Sequence, residues 1–165
     1  MSYFSRFPFV TRKYGSDKIV GVNLTRRTGI LSKYKTDPKY FLVYNIQDGE
    51  TPEILADRLY DEASYSWIVL MFNDIINVFE QWPLDYQSLM TYIKEKYEDP
   101  YAVHHYESIS TSLVVDSDYL EYDKLIVTNV EHEIAVNDAK RKIKLLIPDY
   151  VSAVVTQHNN IVSGG

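Results

Sequence analysis

Cysteine is absent from the 165 residues, which excludes disulfides and every thiolate metal site. Long apolar runs are missing too. The longest, Trp67 to Phe72, falls far short of the roughly 20 residues that a bilayer span requires. The opening stretch, MSYFSRFPFVTRKYG, lacks the apolar run of a signal peptide, so export by the usual route is not expected. Basic charge is in deficit, with 17 Lys and Arg against 23 Asp and Glu and a formal net charge of −6. That balance argues against a nucleic-acid binder, because such affinity rests on phosphate contacts. No internal repeat and no low-complexity tract is visible. A chain of this length buries roughly 70% of its unfolded surface and needs no covalent staple to fold.

Motifs that carry chemistry are as scarce. There is no Gly-x-Ser-x-Gly elbow, no Gly-x-Gly-x-x-Gly and no Walker loop. Glu50, Glu53, Asp57 and Glu62 lie close in sequence, as a glycosidase pair would. Glu50 and Glu53, however, flank a helix start, where the dipole alone favours acids. His104-His105 is the only histidine cluster. Neighbours in a strand point to opposite faces, so the pair is not expected to share a metal. Zinc would also need two further ligands, and His132 and His158 lie far away in sequence. The sequence therefore predicts no enzyme, no metal, no cofactor and no small-molecule ligand.

What the chain has in quantity is tyrosine, 15 residues. Tyrosine offers rigid apolar area with a polar tip, which suits interfaces, and it is also a good strand former. Tyr3, Phe4, Phe7 and Phe9 surround Pro8, which forbids a regular helix interior. They read as an extended apolar arm that must be covered by its own domain or by a partner. Thr11 to Lys18 reads as a loop and Ile19 to Leu24 as a short strand. Arg26 and Arg27 either clamp a carboxylate or form a solvated turn. Ser32 to Lys39 reads as a polar linker.

The organising stretch is Tyr44 to Leu84. A strand, Phe41 to Ile46, ends in the turn pair Asp48-Gly49. Thr51 is the expected N-cap of a helix with Pro52 at its first position. Ile54, Leu55, Leu59 and Tyr60 are expected on its inner face. A second helix, Tyr65 to Phe72, is apolar all round, as a buried helix should be. The expected core includes Ile54, Leu59, Trp67 and Leu70, with Asn73 stopping the helix in a left-handed conformation. Phe79 and Trp82 follow in a loop, as a packed lid or as interface anchors. Asp85 is placed to cap a third helix, with Tyr86, Leu89, Met90, Ile93 and Tyr97 on one stripe.

Beyond Asp99-Pro100, Tyr101 to Val115 reads as an extended tract and Ile126 to Thr128 as a strand. Glu131 to Val136 and Arg141 to Leu146 flank the turn-forming Asn137-Asp138, which predicts a β-hairpin with one acidic and one basic arm. Pro148 opens a terminal helix with Tyr150, Val151, Val154 and Val155 on one face.

The order strand, Asp-Gly turn, capped helix, apolar helix, Asn resembles the LysM module. Tyr44, Ile46, Gly49, Glu50, Thr51, Ile54, Ala56, Leu59, Trp67 and Asn73 carry the likeness. A glycan-binding LysM closes with a short second strand, whereas Asn73 to Leu84 follows here and ends in Trp82-Pro83-Leu84. That continuation resembles a family of baseplate wedge subunits from contractile-tailed bacteriophages, which embed a LysM-like fold. Tyr92-Ile93-Lys94-Glu95-Lys96-Tyr97, His104-His105-Tyr106-Glu107 and the run from Asn137 to Val151 extend the resemblance over nearly the whole chain. It implies an α+β fold with a LysM-like strand-helix-helix core over residues 41–98. An N-terminal arm and linker over 1–40 would precede it, and a β-hairpin with a short helix over 99–165 would follow. It also implies a structural, non-enzymatic virion protein of the tail baseplate, assembled in the host cytoplasm. Its partners would be other wedge proteins and neighbouring wedges around the central hub, not nucleic acid or membrane. Phe4, Phe7, Phe9, Arg26, Arg27, Phe79 and Trp82 are the expected contact residues. The alternative is a carbohydrate-binding LysM module for glycan containing N-acetylglucosamine. Its groove would lie beside Gln47 to Thr51 and Asn73 to Trp82.

Overall fold

The fold comes from a computed structural model that describes residues 7–23 and 29–163. It is α+β. In chain order the elements are β1 (Phe9–Tyr14), β2 (Asp17–Val22), α1 (Ser32–Thr36), β3 (Phe41–Asn45), α2 (Pro52–Tyr60) and α3 (Ser66–Phe72). There follow α4 (Val78–Gln81), α5 (Tyr86–Lys96), β4 (Val103–Ser108), β5 (Val114–Val115), β6 (Lys124–Thr128), α6 (Asn129–Ala139), β7 (Lys142–Leu146) and α7 (Val151–Ser163). They form two compact units. One comprises Met1–Tyr44, Glu50–Val78 and Ile143–Gly165, and the other Asn45–Gly49 and Phe79–Lys142. The expected divisions after residues 40 and 98 are not where the units divide. The chain passes into the second unit at Asn45–Gly49, leaves the first again after Val78 and returns to it at Ile143 in β7.

The first unit contains a strand-helix-helix-strand motif. β3 leads to α2, where Thr51 accepts a hydrogen bond from the Ile54 N–H and Pro52 occupies the first turn. The buried face of α2 is Pro52, Leu55 and Ala56. Ile54 is 49% exposed and Leu59 only half-buried, so the expected stripe is rotated. The spacing 52, 55, 56 follows the i, i+3, i+4 rule, which leaves Ile54 off the inner face. α3 buries Trp67, Ile68, Val69 and Phe72, with Leu70 half-buried. Trp67, Ile68 and Phe72 join Ile30, Tyr34, Leu146, Val151 and Val154 in one apolar cluster. Tyr34, Tyr40 and Tyr150 pack edge to face beside it, with Tyr40 4.9 Å from Tyr34 and 4.8 Å from Tyr150 between ring centroids. Part of the tyrosine excess is therefore core.

The strand that pairs with β3 is β7. β3 and β7 form a two-stranded sheet, and the bonds Ile147 N–H to Tyr40 O and Ile46 N–H to Arg141 O make it antiparallel. The predicted hairpin between Glu131–Val136 and Arg141–Leu146 does not form, because the first of these segments is helical. Asn73 is not left-handed (φ −102); Asp74 takes that role with φ 57. Instead the Asn73 side chain acts as an extra peptide group. Its amide donates to Val69 O and Lys144 O, each at 2.8 Å, and its oxygen accepts from Lys144 N–H at 2.8 Å. Asn73→Ala leaves the middle of β7 without these partners. The expected cost is about 1–3 kcal/mol in denaturant unfolding.

The second unit combines α5, α6 and the sheet β5-β4-β6. Asp85 caps α5 by accepting from the Gln87 and Ser88 N–H groups, and Leu89 and Ile93 are its buried residues. Tyr86 is exposed. α6 begins with a capping box between Thr128 and Glu131. Its buried stripe is polar: Asn129, Glu133 and Asn137. Each is satisfied. Asn129 donates to Asp99 O at 2.9 Å, and Asn137 pairs with both backbone groups of Leu84 at 2.8 and 3.0 Å. Glu133 accepts from the Lys96 ammonium and the Tyr97 hydroxyl, both at 2.7 Å. Burial opposes the Glu133 charge, but these two donors outweigh it and hold the carboxyl below its ordinary value. The tract after Tyr101 is not one strand. It turns after Ser108, where Asp123 accepts from Ser108 Oγ, Ser110 Oγ and Ser110 N–H. β4 carries a bulge between Val103 and His105, so His104 and His105 do not obey strict alternation.

Candidate partner interface

The region expected to be an arm, a loop and a short strand is a β-hairpin, with the expected strand Ile19 to Leu24 overlapping β2. β1 and β2 pair in register from Phe9↔Val22 to Tyr14↔Asp17. The connection is the two-residue turn Gly15-Ser16, with Gly15 at φ +62. A glycine with positive φ at the first central position matches the tight turn whose twist suits paired strands. Gly15-Ser16 marked the turn, but alternation did not reveal β1, because neither face of the ribbon is buried.

Alternation in this register puts Phe9, Val20 and Val22 on one face and Tyr14 and Ile19 on the other. Phe9 is 74% exposed, Val20 63%, Tyr14 78% and Ile19 57%. Apolar side chains thus stand open on both faces of a two-stranded sheet. Such a ribbon is marginally stable alone in water. Among the described residues, neither outer edge carries a further strand. Arg12, Lys13 and Lys18 add positive charge along the same ribbon. The arrangement offers apolar area, open backbone edges and basic charge, the ingredients of strand-addition recognition.

The other expected contact residues are distributed unevenly. Phe4, Arg26 and Arg27 lie outside the described residues. Phe7 is buried rather than presented, in edge contact with His158 at 6.4 Å between centroids. Phe79, in α4, is 91% exposed, whereas Trp82 is 7% exposed and packed into the fold. Trp82→Ala is therefore expected to lower the melting temperature of the free protein, while Phe79→Ala changes its unfolding free energy by less than about 0.5 kcal/mol. Thermal and denaturant unfolding of the two single variants check this.

Of the acidic residues weighed as a glycosidase pair, Glu50 is engaged in a local network. Glu50 is held by the Tyr44 hydroxyl at 2.9 and 3.0 Å and by Arg58 Nη1 at 2.6 Å. Arg58 also donates to the Tyr44 oxygen at 2.8 Å. This closed network ties the end of β3 to α2. Its guanidinium is pushed further into the charged form, first by Tyr44 and then by Glu50. Glu53, Asp57 and Glu62 are exposed around α2. No helix among the described residues is long and apolar enough to cross a membrane. Compared with known proteins, the chain matches no protein-family model and no curated protein.

Proposed function

We propose that the chain is a structural subunit of a contractile-tail baseplate wedge, binding neighbouring wedge proteins through its exposed hairpin. The observation that carries this reading is the β1–β2 ribbon, apolar on both faces and open at both edges. A ribbon of that kind gains its stability when a partner covers it. The resemblance to phage wedge subunits, drawn from the Trp82-Pro83-Leu84 ending and the segments after it, supplies the kind of partner. The strand-helix-helix-strand order of β3, α2, α3 and β7 supports the LysM-like part of that resemblance. The closing strand arrives from β7, after the insertion of the second unit, not directly after α3. Its work would be adhesive: apolar area is removed from water and backbone edges are paired.

Because the closing strand is present, its lack no longer counts against the alternative, a LysM module that binds N-acetylglucosamine-containing glycan. One experiment separates the two. The purified chain is mixed with the products of the genes that flank its own and sedimented, and in parallel passed over chitin and peptidoglycan. Co-sedimentation in a defined complex without glycan retention is the expected result. Specific retention on glycan without any wedge complex would replace the structural reading with the alternative.

A further inference from the structure

We infer that His104, His105 and His132 bind one divalent transition-metal ion, zinc being the first that this ligand set suits. In a regular strand His104 and His105 would point apart. The bulge prevents that. Val103 pairs with Thr128 and His105 with Val127, so two steps along β4 oppose one step along β6. His104 is the extra residue, and its Nδ1 lies 2.8 Å from His105 Nδ1. β6 runs directly into α6, which carries His132 at the end of its first turn. The His104 ring lies flat against that of His132, with centroids 3.8 Å apart and an interplanar angle of 9°. One ring nitrogen from each of the three histidines lies within 4.8 Å of the others.

These distances bracket what a metal requires. With metal–nitrogen bonds of about 2.0–2.1 Å, nitrogens in a tetrahedral site stand about 3.3 Å apart. The 2.8 Å approach between His104 Nδ1 and His105 Nδ1 would open to that spacing, and a turn of the exposed His104 ring out of its stack on His132 would let the three nitrogens converge on one ion. The outer contacts are of the right kind. His105 Nε2 meets Glu107 Oε1 at 3.0 Å. A carboxylate on one imidazole nitrogen fixes the tautomer, so Nδ1 is left as the ligand atom. Glu107 follows His105 by two residues in β4 and shares its face for that reason. Imidazole ligands without thiolate suit zinc, nickel or copper rather than calcium or magnesium. Three protein ligands leave a fourth position for water or a donor from outside, and the exposed edge at His104 supplies an entry path. The bound ion would fasten the β4 bulge to the first turn of α6.

The test uses the tag-free, metal-stripped full chain titrated with zinc chloride in a calorimeter, with Co²⁺ as a spectroscopic substitute. The expected result is one ion per chain and a melting temperature that rises with zinc concentration. His104→Ala, an exposed change, and His132→Ala should each weaken binding by more than about 100-fold, beyond the effect of losing an outer contact. Glu107→Gln should weaken it by about 10–100-fold. Absence of saturable binding, or zinc affinity unchanged in both alanine variants, overturns the inference and leaves a stacked histidine cluster held by an N–H···N bond.

Discussion

Trp67→Ala is expected to destabilise the free protein by about 3–5 kcal/mol in denaturant unfolding. Trp67 is buried in α3, in the same cluster as Ile68, Phe72, Leu146 and Val154. Its indole lies against the His158 ring at 4.4 Å between centroids. Removing it forfeits the transfer energy of a large aromatic and the contacts of residues from α1, α3, β7 and α7. Those elements are far apart in sequence, so little of the space can be refilled by local relaxation. Domains of this size have total stabilities of about 5–15 kcal/mol, so the variant should stand near the limit of folding at 37 °C. A loss below about 1 kcal/mol would mean that the cluster is not the core of this unit.

The second large effect concerns association. Phe9→Ala combined with Val20→Asp is expected to weaken binding to the wedge proteins by more than about thirtyfold, corresponding to at least about 2 kcal/mol. Both side chains belong to the same exposed face of the hairpin. The first change removes an aromatic anchor. The second places a charge where a partner would have to desolvate it. Neither side chain is buried in the free protein, so the unfolding free energy should change by less than about 0.5 kcal/mol. The comparison is informative because both quantities come from the same variant. A collapse in stability would make the ribbon part of the fold, and unchanged affinity would place the contact surface elsewhere.

The parts of this fold that were legible in the sequence are those set by local rules. Thr51-Pro52 and Asp85 start helices through capping, and Trp67 to Phe72 declares a buried helix by being apolar on every side. The parts that escaped have identifiable physical reasons. α6 turns a polar stripe inward, Asn129, Glu133 and Asn137, so hydrophobic periodicity had nothing to report. The helical spacing of those three residues and the Thr128-Val130-Glu131 cap were the available clues. β7 pairs with β3 across an insertion, and no local pattern encodes a partner so far along the chain. In the hairpin of β1 and β2 the short strand Ile19 to Leu24 was legible and overlaps β2, but β1 escaped, because neither face is buried and alternation was uninformative. The histidine cluster depends on one bulged residue and on a helix that the sequence pattern presented as a strand. Among the aromatic residues expected to make contacts, the sequence could not separate the exposed from the packed: Phe9 and Phe79 are exposed, while Phe7 and Trp82 are buried.

The most direct test of the adhesive reading is site-specific photo-crosslinking from position 20 of the full chain, mixed with the products of the genes that flank its own. Val20 lies at an exposed place on the hairpin, so a photoreactive residue there reports what covers it without disturbing the core. The account predicts one dominant covalent product with a wedge protein, lost when an unlabelled excess of the parent chain competes. A probe that yields only water-quenched chain in a complex that has otherwise assembled would contradict it.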